Sequence, residues 1–262
     1  MSGAEIVLEV SGVSRTYTDD KGNVVEALRD VSLSVQKGEF VSIIGSSGCG
    51  KTTLLRLIGG LDKPEAGALT LGGREILDAD PSRGYVVQQG ALFPWLTVYD
   101  NIAFGLRARG VYKENKALIP RYIGLIGLEG FERAFPHQIS GGMAQRVAIA
   151  RALINSPEVL LLDEPMGALD SFTRADIQDK LLELRRERGA TMILVTHDAD
   201  EAIYLSDRIV IMTPRPGKIS EIMEIKIPRP RHRGGAEFLG IRRQILEKLH
   251  LASAQPQPEY TI

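Results

Sequence analysis

The chain has one cysteine, Cys49, in 262 residues, so no internal disulfide can form and a reducing compartment is the natural reading. It has almost no excess charge. Its 32 basic and 33 acidic side chains leave a formal net charge of -1, which argues against a broad nucleic-acid surface and a nucleic-acid partner. No apolar run approaches the ~18 residues of a membrane span, and Met1-Ser2-Gly3-Ala4-Glu5 carries no basic n-region. Neither a spanning segment nor a secretion signal is therefore expected, although attachment to a membrane through a partner remains open. Internal repeats, low-complexity tracts and an Asn-Lys-x-Asp guanine-reading motif are also missing. At 44% hydrophobic and 25% charged, the chain has core enough for one large domain or two closely joined subdomains.

Organisation follows from periodicity. Ile6 to Val10 and Val31 to Val35 predict strands, with Asp19-Asp20-Lys21-Gly22-Asn23 a turn cluster between them. A strand over Phe40 to Ile44, a helix from Thr52 to Ile58 and a turn at Asp62 to Gly67 leading into Ala68 to Leu71 follow. From about Leu92 to Ser156 the character is helical, clearest at Asn101 to Leu106 and Gly142 to Asn155. Val159 to Leu162, Met192 to Val195 and Ile209 to Met212 are uninterrupted apolar runs of the buried-strand type. Ile177, Leu181 and Leu184 share one helix face, and Gly189 supplies a stop. This alternation predicts an α/β fold with a mostly parallel sheet and helices on both faces, the helical stretch being inserted on one side. The tail holds a proline-separated basic run, Pro228 to Arg233, that cannot be regular structure. It then holds an amphipathic helix from Glu237 to His250 with Phe238, Ile241, Ile245 and Leu249 on one stripe.

Between the third strand and the first helix lies Gly45-Ser46-Ser47-Gly48-Cys49-Gly50-Lys51-Thr52, which fits the phosphate-binding pattern G-x-x-x-x-G-K-[ST] in the strand–loop–helix context it needs. Glycines let the loop wrap so that backbone N–H groups face phosphate oxygens. Lys51 supplies a compact positive charge, the Thr52 hydroxyl is placed for Mg²⁺, and the helix adds its positive end. Cys49 reads as a small filler, whose alkylation is expected to slow hydrolysis by steric blockage. Asp163 and Glu164 end a buried strand, where such sheets face their ligand crevice; the one can hold Mg²⁺ and the other can orient and deprotonate water. Ser140-Gly141-Gly142-Met143 opens a helix, with Ser140 a fair N-cap; helix capping alone explains the serine but not the glycine pair, which suits a second anion site. Gln88 stands where helical character begins, and His197 ends a strand, where an imidazole can offset developing charge on a phosphate.

Taken in order, the phosphate loop, Gln88, Ser140-Gly141-Gly142, Asp163-Glu164, Ala168-Leu169-Asp170 and Thr196-His197-Asp198 resemble the ATP-binding cassette (ABC) family over roughly residues 5–215. The resemblance implies a P-loop, RecA-like ATPase core with an N-terminal antiparallel β subdomain and an inserted helical subdomain. In this chain these would be residues 1–90 (β subdomain and first part of the core), 91–156 (helical signature subdomain), 157–227 (second part of the core) and 228–262 (basic tail and amphipathic helix). It also implies ATP and Mg²⁺ as ligands. Tyr17 would stack on adenine, Gly45 to Thr52 together with Thr53 would bind the phosphates, and Thr52, Gln88 and Asp163 would hold the metal. Glu164, His197 and Gln88 would be catalytic, Ser140 to Met143 would contact the ATP bound to the other subunit, and Asp170 would sit at the dimer seam. Two nucleotides are then buried between two head-to-tail copies. The commonest signature of the family has glutamine where Met143 stands and leucine where Ile139 stands; methionine is a poor hydrogen-bonding partner, but the serine and backbone donors remain.

The flanks resemble the importer branch for nitrate, sulfonates and taurine. Pro94 to Asn101 looks like the segment that receives a coupling helix from a membrane permease, and Arg215-Pro216-Gly217-Lys218-Ile219 with Pro228 to Arg231 matches that branch. The expected role is the ATP-hydrolysing subunit at the cytoplasmic face of the inner membrane. Its expected partners are integral membrane permease subunits, a second ATPase copy and, indirectly, a solute-binding protein. An exporter ATPase and a non-transport cassette are the competing readings.

Overall fold

The apolar alternation of the first strands closes into paired structure. The computed structural model describes residues 5–18, 22–88, 92–167 and 169–253; the expected turn residues 19–21 and Ala168 lie outside them. In chain order the elements are β1 (Ile6–Thr18), β2 (Val24–Gln36), β3 (Phe40–Ile44), α1 (Lys51–Gly59), β4 (Ala66–Leu71), β5 (Arg74–Glu75) and β6 (Arg83–Val86). Next come α2 (Val98–Ala108), α3 (Tyr112–Asn115), α4 (Leu118–Leu125), α5 (Gly141–Leu153), β7 (Val159–Asp163) and α6 (Ser171–Arg188). β8 (Thr191–Thr196), α7 (Ala199–Leu205), β9 (Arg208–Met212), β10 (Ile219–Glu224) and α8 (Ala236–Ser253) complete the chain. Two compact units result, Met1–Ala79 with Ile193–Ile262, and Asp80–Met192. The expected α/β architecture with parallel strands is present, and among the described residues no helix is long and apolar enough to cross a membrane.

In the first unit, β1 runs antiparallel to β2 and to β4, and the strand order is β2-β1-β4-β5. β1 is longer than its apolar core suggests because pairing continues through Thr16↔Glu26 and Tyr17↔Val25. A second set of strands runs β10-β9-β3-β8, with β3 parallel to β9 and β10 antiparallel to β9. All five residues of β3 are buried, as a strand covered on both faces requires. β10 was not apparent from sequence: Ile219-Ser220-Glu221-Ile222-Met223-Glu224 alternates half-buried and exposed, the pattern of an edge. The Phe40 amide donates to Asp207 at 2.9 Å and Arg208 to Glu39 at 3.0 Å, which ties the start of β3 to the start of β9.

The amphipathic tail helix belongs to this unit. Phe238 and Ile245 on α8 are 2% and 0% exposed and join Ile44, Ala202, Ile203, Ile209 and Ile211 in one core cluster, with Ile241 and Leu249 at its edge. The basic run before α8 is not solvated throughout. Arg231 is 5% exposed, and its guanidinium donates to the carbonyls of Ile203, Tyr204 and Ser206 at the end of α7, and to those of Ile225 and Ile227. A helix leaves its last carbonyls without intrahelical donors, and a cation there also suits the helix dipole.

In the second unit, β6 runs parallel to β7 in the register Tyr85↔Leu161 and Val86↔Leu162. α2 is capped by Thr97, which accepts from the Asp100 amide. α6 is capped by Asp170 and stops at Gly189, whose φ of 61° lies in the left-handed region. Ile177, Leu181 and Leu184 are buried, as their spacing predicts.

Replacing Arg231 by alanine removes donors from a group of buried carbonyls, each costly to leave unmade. Arg231→Ala is expected to destabilise the chain by about 3 kcal/mol, with Arg231→Lys recovering part of the loss. A urea unfolding midpoint unchanged by Arg231→Ala would contradict this account.

Candidate functional site

The phosphate loop joins the end of β3 to α1, and glycine is needed there for two separate reasons. Gly48 and Gly50 have φ of 73° and 101°, in the left-handed region. A Cβ on Gly50 would also meet Leu28 Cδ2 at 2.6 Å and the Ala27 carbonyl at 2.7 Å. Gly50 is the N-cap of α1, and a helix start leaves its first amides without intrahelical acceptors; in that turn Thr52 is exposed and Thr53 half-buried. Lys51 is 5% exposed, and its ammonium donates to the Gly45 and Ser46 carbonyls at 3.0 and 2.9 Å. Ser47 is exposed and Ser46 half-buried at the mouth. The Cys49 side chain points into the protein, 1% exposed, and burial pushes its thiol pKa up.

Two further candidates lie in the same unit. Tyr17, near the end of β1, donates its hydroxyl to Asp62 at 3.1 Å, and the Arg15 guanidinium lies 4.9 Å from its ring centroid. Arg56 holds the Asp62 carboxyl below the usual carboxylate range, which keeps it an acceptor for Tyr17. His197 is exposed at the end of β8, followed by a corner in which Asp198 accepts from the Asp200 and Glu201 amides at 2.8 and 3.2 Å. Thr196 donates to the buried Glu201 carboxylate at 2.7 Å, which stiffens that corner.

The second unit gathers the acidic residues and Gln88. The β6–β7 register places residue 88 beside residue 164, and Gln88 Nε2 does donate to Glu164 Oε2 at 3.1 Å. Glu164 has φ of 43°, a left-handed backbone uncommon for a non-glycine residue. Asp163 is 7% exposed and accepts from the Tyr85 hydroxyl at 3.0 Å; no motif in the sequence marks Tyr85 as its partner. The signature residues lie on a helix start: Ser140 accepts from the Met143 amide at 3.2 Å, Ser140 and Gly141 are exposed, and Gly142 is buried. A Cβ on Gly142 would meet Thr173 Cγ2 at 2.4 Å, so this glycine allows α5 to abut the start of α6. Asp170 is there too: it accepts from the Phe172 and Thr173 amides at 3.0 Å, and the Thr173 hydroxyl holds its carboxyl low. The structure thus brings Gln88, Asp163 and Glu164 together, and the signature together with Asp170.

A sequence model described as "ABC transporter" matches residues 28–167. An uncharacterized ABC transporter ATP-binding protein of Methanocaldococcus jannaschii is 48% identical, covering 94% of this chain and 92% of its own length. The aliphatic sulfonates import ATP-binding protein SsuB of Bacillus cereus is 45% identical, with 93% and 96% covered. The nitrate import ATP-binding protein NrtC of Synechocystis is 48% identical over 86% of this chain and 34% of that larger protein. Among solved structures, a dimeric ATP-binding cassette in a post-hydrolysis state bound to ADP and Pi superposes with a TM-score of 0.74. It is 34% identical and covers 84% of this chain and 100% of its own.

The burial of Cys49 and its raised pKa have a chemical consequence. At neutral pH the thiol is protonated and shielded, so iodoacetamide should react with it at least about tenfold more slowly in the folded chain than in guanidinium. Nucleotide binding should fall in step with the fraction modified. Equal folded and unfolded rates would show that the side chain is accessible.

Proposed function

The chain belongs to the ABC transporter family, and from that premise we propose that it is the ATP-hydrolysing subunit of an importer taking up a small anion, such as nitrate or an organosulfonate. The observation that carries the importer assignment is identity of 45% over 93% of the chain to a sulfonate-import subunit that it matches nearly end to end. Cargo would be recognised by a solute-binding protein and a permease, with this subunit at the cytoplasmic face of the membrane.

Chemical roles are proposed residue by residue. Glu164 deprotonates the attacking water, and Gln88, hydrogen-bonded to it, orients that water. Lys51 and the amides of the loop and of the first turn of α1 neutralise phosphate charge, and His197 offsets the charge that develops as the bond breaks. Tyr17, held by Asp62, offers a ring for the adenine. Thr52, Asp163 and Gln88 carry hard oxygen donors of the kind that Mg²⁺ selects, and the Tyr85 hydroxyl donates to Asp163. When bound, Mg²⁺ would supply positive charge that offsets that of the phosphates. Ser140 to Met143 and Asp170 would act on the nucleotide of a second, head-to-tail copy, so that ATP closes the dimer and hydrolysis reopens it.

Glu164→Gln keeps the shape and the acceptor for Gln88 but loses the base. This variant should bind ATP, hydrolyse it at least about 100-fold more slowly, and elute as an ATP-dependent dimer. A monomeric elution with ATP would count heavily against the head-to-tail arrangement. The transport role is tested by tagging the chain, gently solubilising native membranes and identifying what co-purifies. A multi-spanning permease with a solute-binding protein is expected; recovery with ribosomes or nucleic-acid factors alone would overturn transport and leave the ATPase chemistry standing.

A further inference from the structure

The segment Thr213–Lys218, between β9 and β10, is a closed turn lying against the back of the phosphate loop. Thr213 ties it shut, its amide donating to the Lys218 carbonyl at 2.9 Å and its hydroxyl accepting from the Lys218 amide at 3.0 Å. Gly217 fastens the turn to β2: its amide donates to the Ala27 carbonyl and its carbonyl accepts from the Arg29 amide, both at 3.0 Å. A Cβ on Gly217 would lie 2.0 Å from the Cys49 carbonyl oxygen. Glycine is therefore needed for close approach to the loop. The exposed Arg215 reaches the loop from the same side, with Nε and Nη2 each 3.3 Å from the Gly48 carbonyl oxygen.

We propose that this turn is an external brace for the phosphate loop, with Arg215 and Gly217 as positioning residues that set the direction of its amides. A planar trans peptide carries its C=O and N–H on opposite sides. A guanidinium on the Gly48 carbonyl therefore holds the plane of the Gly48–Cys49 peptide, whose N–H is turned within the loop towards the Ser46 carbonyl at 3.4 Å. Gly217 packed under the Cys49 carbonyl likewise holds the plane of the Cys49–Gly50 peptide. The path of the loop backbone is then held before any anion arrives, and binding has less of it to order. The proposal rests on the reading of this loop as the nucleotide site, and gives a physical role to an Arg-Pro-Gly turn that sequence alone offered only as a mark of lineage.

The experiment is an equilibrium titration of the full chain with fluorescent mant-ADP and mant-ATP, with kcat and KM measured in parallel. Arg215→Ala should raise both dissociation constants by the same factor, about tenfold, the scale of one charge-assisted hydrogen bond. It should leave the thermal midpoint near that of the unaltered chain, and Arg215→Lys, which still donates to a carbonyl, should recover most of the affinity. Unchanged dissociation constants in Arg215→Ala would overturn the brace. So would a loss confined to mant-ATP, since that would mark direct contact with the terminal phosphate. Failure of the unaltered chain to bind either nucleotide would instead overturn the functional reading, and the brace with it.

Discussion

A phosphate cradle made of backbone can be shaped only through φ, ψ and whatever touches it from behind, because it has no side chains of its own to adjust. In this chain both controls are visible at once. Gly48 and Gly50 adopt left-handed conformations that other residues resist. Leu28 and the Ala27 carbonyl fill the space that a Cβ on Gly50 would need, so β2 presses directly on the loop. Gly217 does the same from the turn after β9. Cys49 fits because it is small and apolar enough to point inward while its amide stays in the loop. Lys51 completes the arrangement: its charge is held at the loop by two of the loop's own carbonyls.

The tail is part of the same unit and is held by charge as well as by apolar packing. Arg231 collects carbonyls from the end of α7 and from the segment after β10, while Phe238 and Ile245 on α8 cover Ile203 and Ile209. The neighbouring basic residues have structural partners as well. Arg229 pairs with Asp207 at 2.8 Å, and the Arg233 guanidinium lies 3.8 Å from the ring centroid of Tyr204. The proline-separated basic segment is therefore partly an internal strut. Burying Arg231 is tolerable because its donors meet carbonyls in fixed positions; without them the cost of desolvation would dominate.

Much of the fold was legible for local reasons. Apolar runs such as Leu160-Leu161-Leu162 and Ile209-Val210-Ile211 announce buried strands, and the spacing of Ile177, Leu181 and Leu184 announces one helix face. The phosphate loop was legible because its chemistry is contiguous in sequence. Ser140 was identifiable at a helix start because capping is a short-range interaction; the matching role of Asp170 at the start of α6 came from the structure. β6 and β10 were not apparent: Arg83-Gly84-Tyr85-Val86 is short and mixed, and β10 is a half-exposed edge, so neither carries an apolar run.

The sequence by itself determined the family, the strand–loop–helix that carries the phosphate-binding pattern and the types of residue proposed for hydrolysis, because these depend on residues a few positions apart. Tertiary structure decided which distant groups meet. The register of β6 on β7 sets Gln88 against Glu164 and brings Tyr85 to Asp163 across a separation of 78 residues. The turn after β9 reaches the phosphate loop from 167 residues away, and Arg231 finds its carbonyls 28 residues back. Such pairings leave no periodicity in the sequence, since they arise from strand order and chain return. Arginine and tyrosine side chains, equally at home in solvent, reveal their role only through the partners that the fold brings to them.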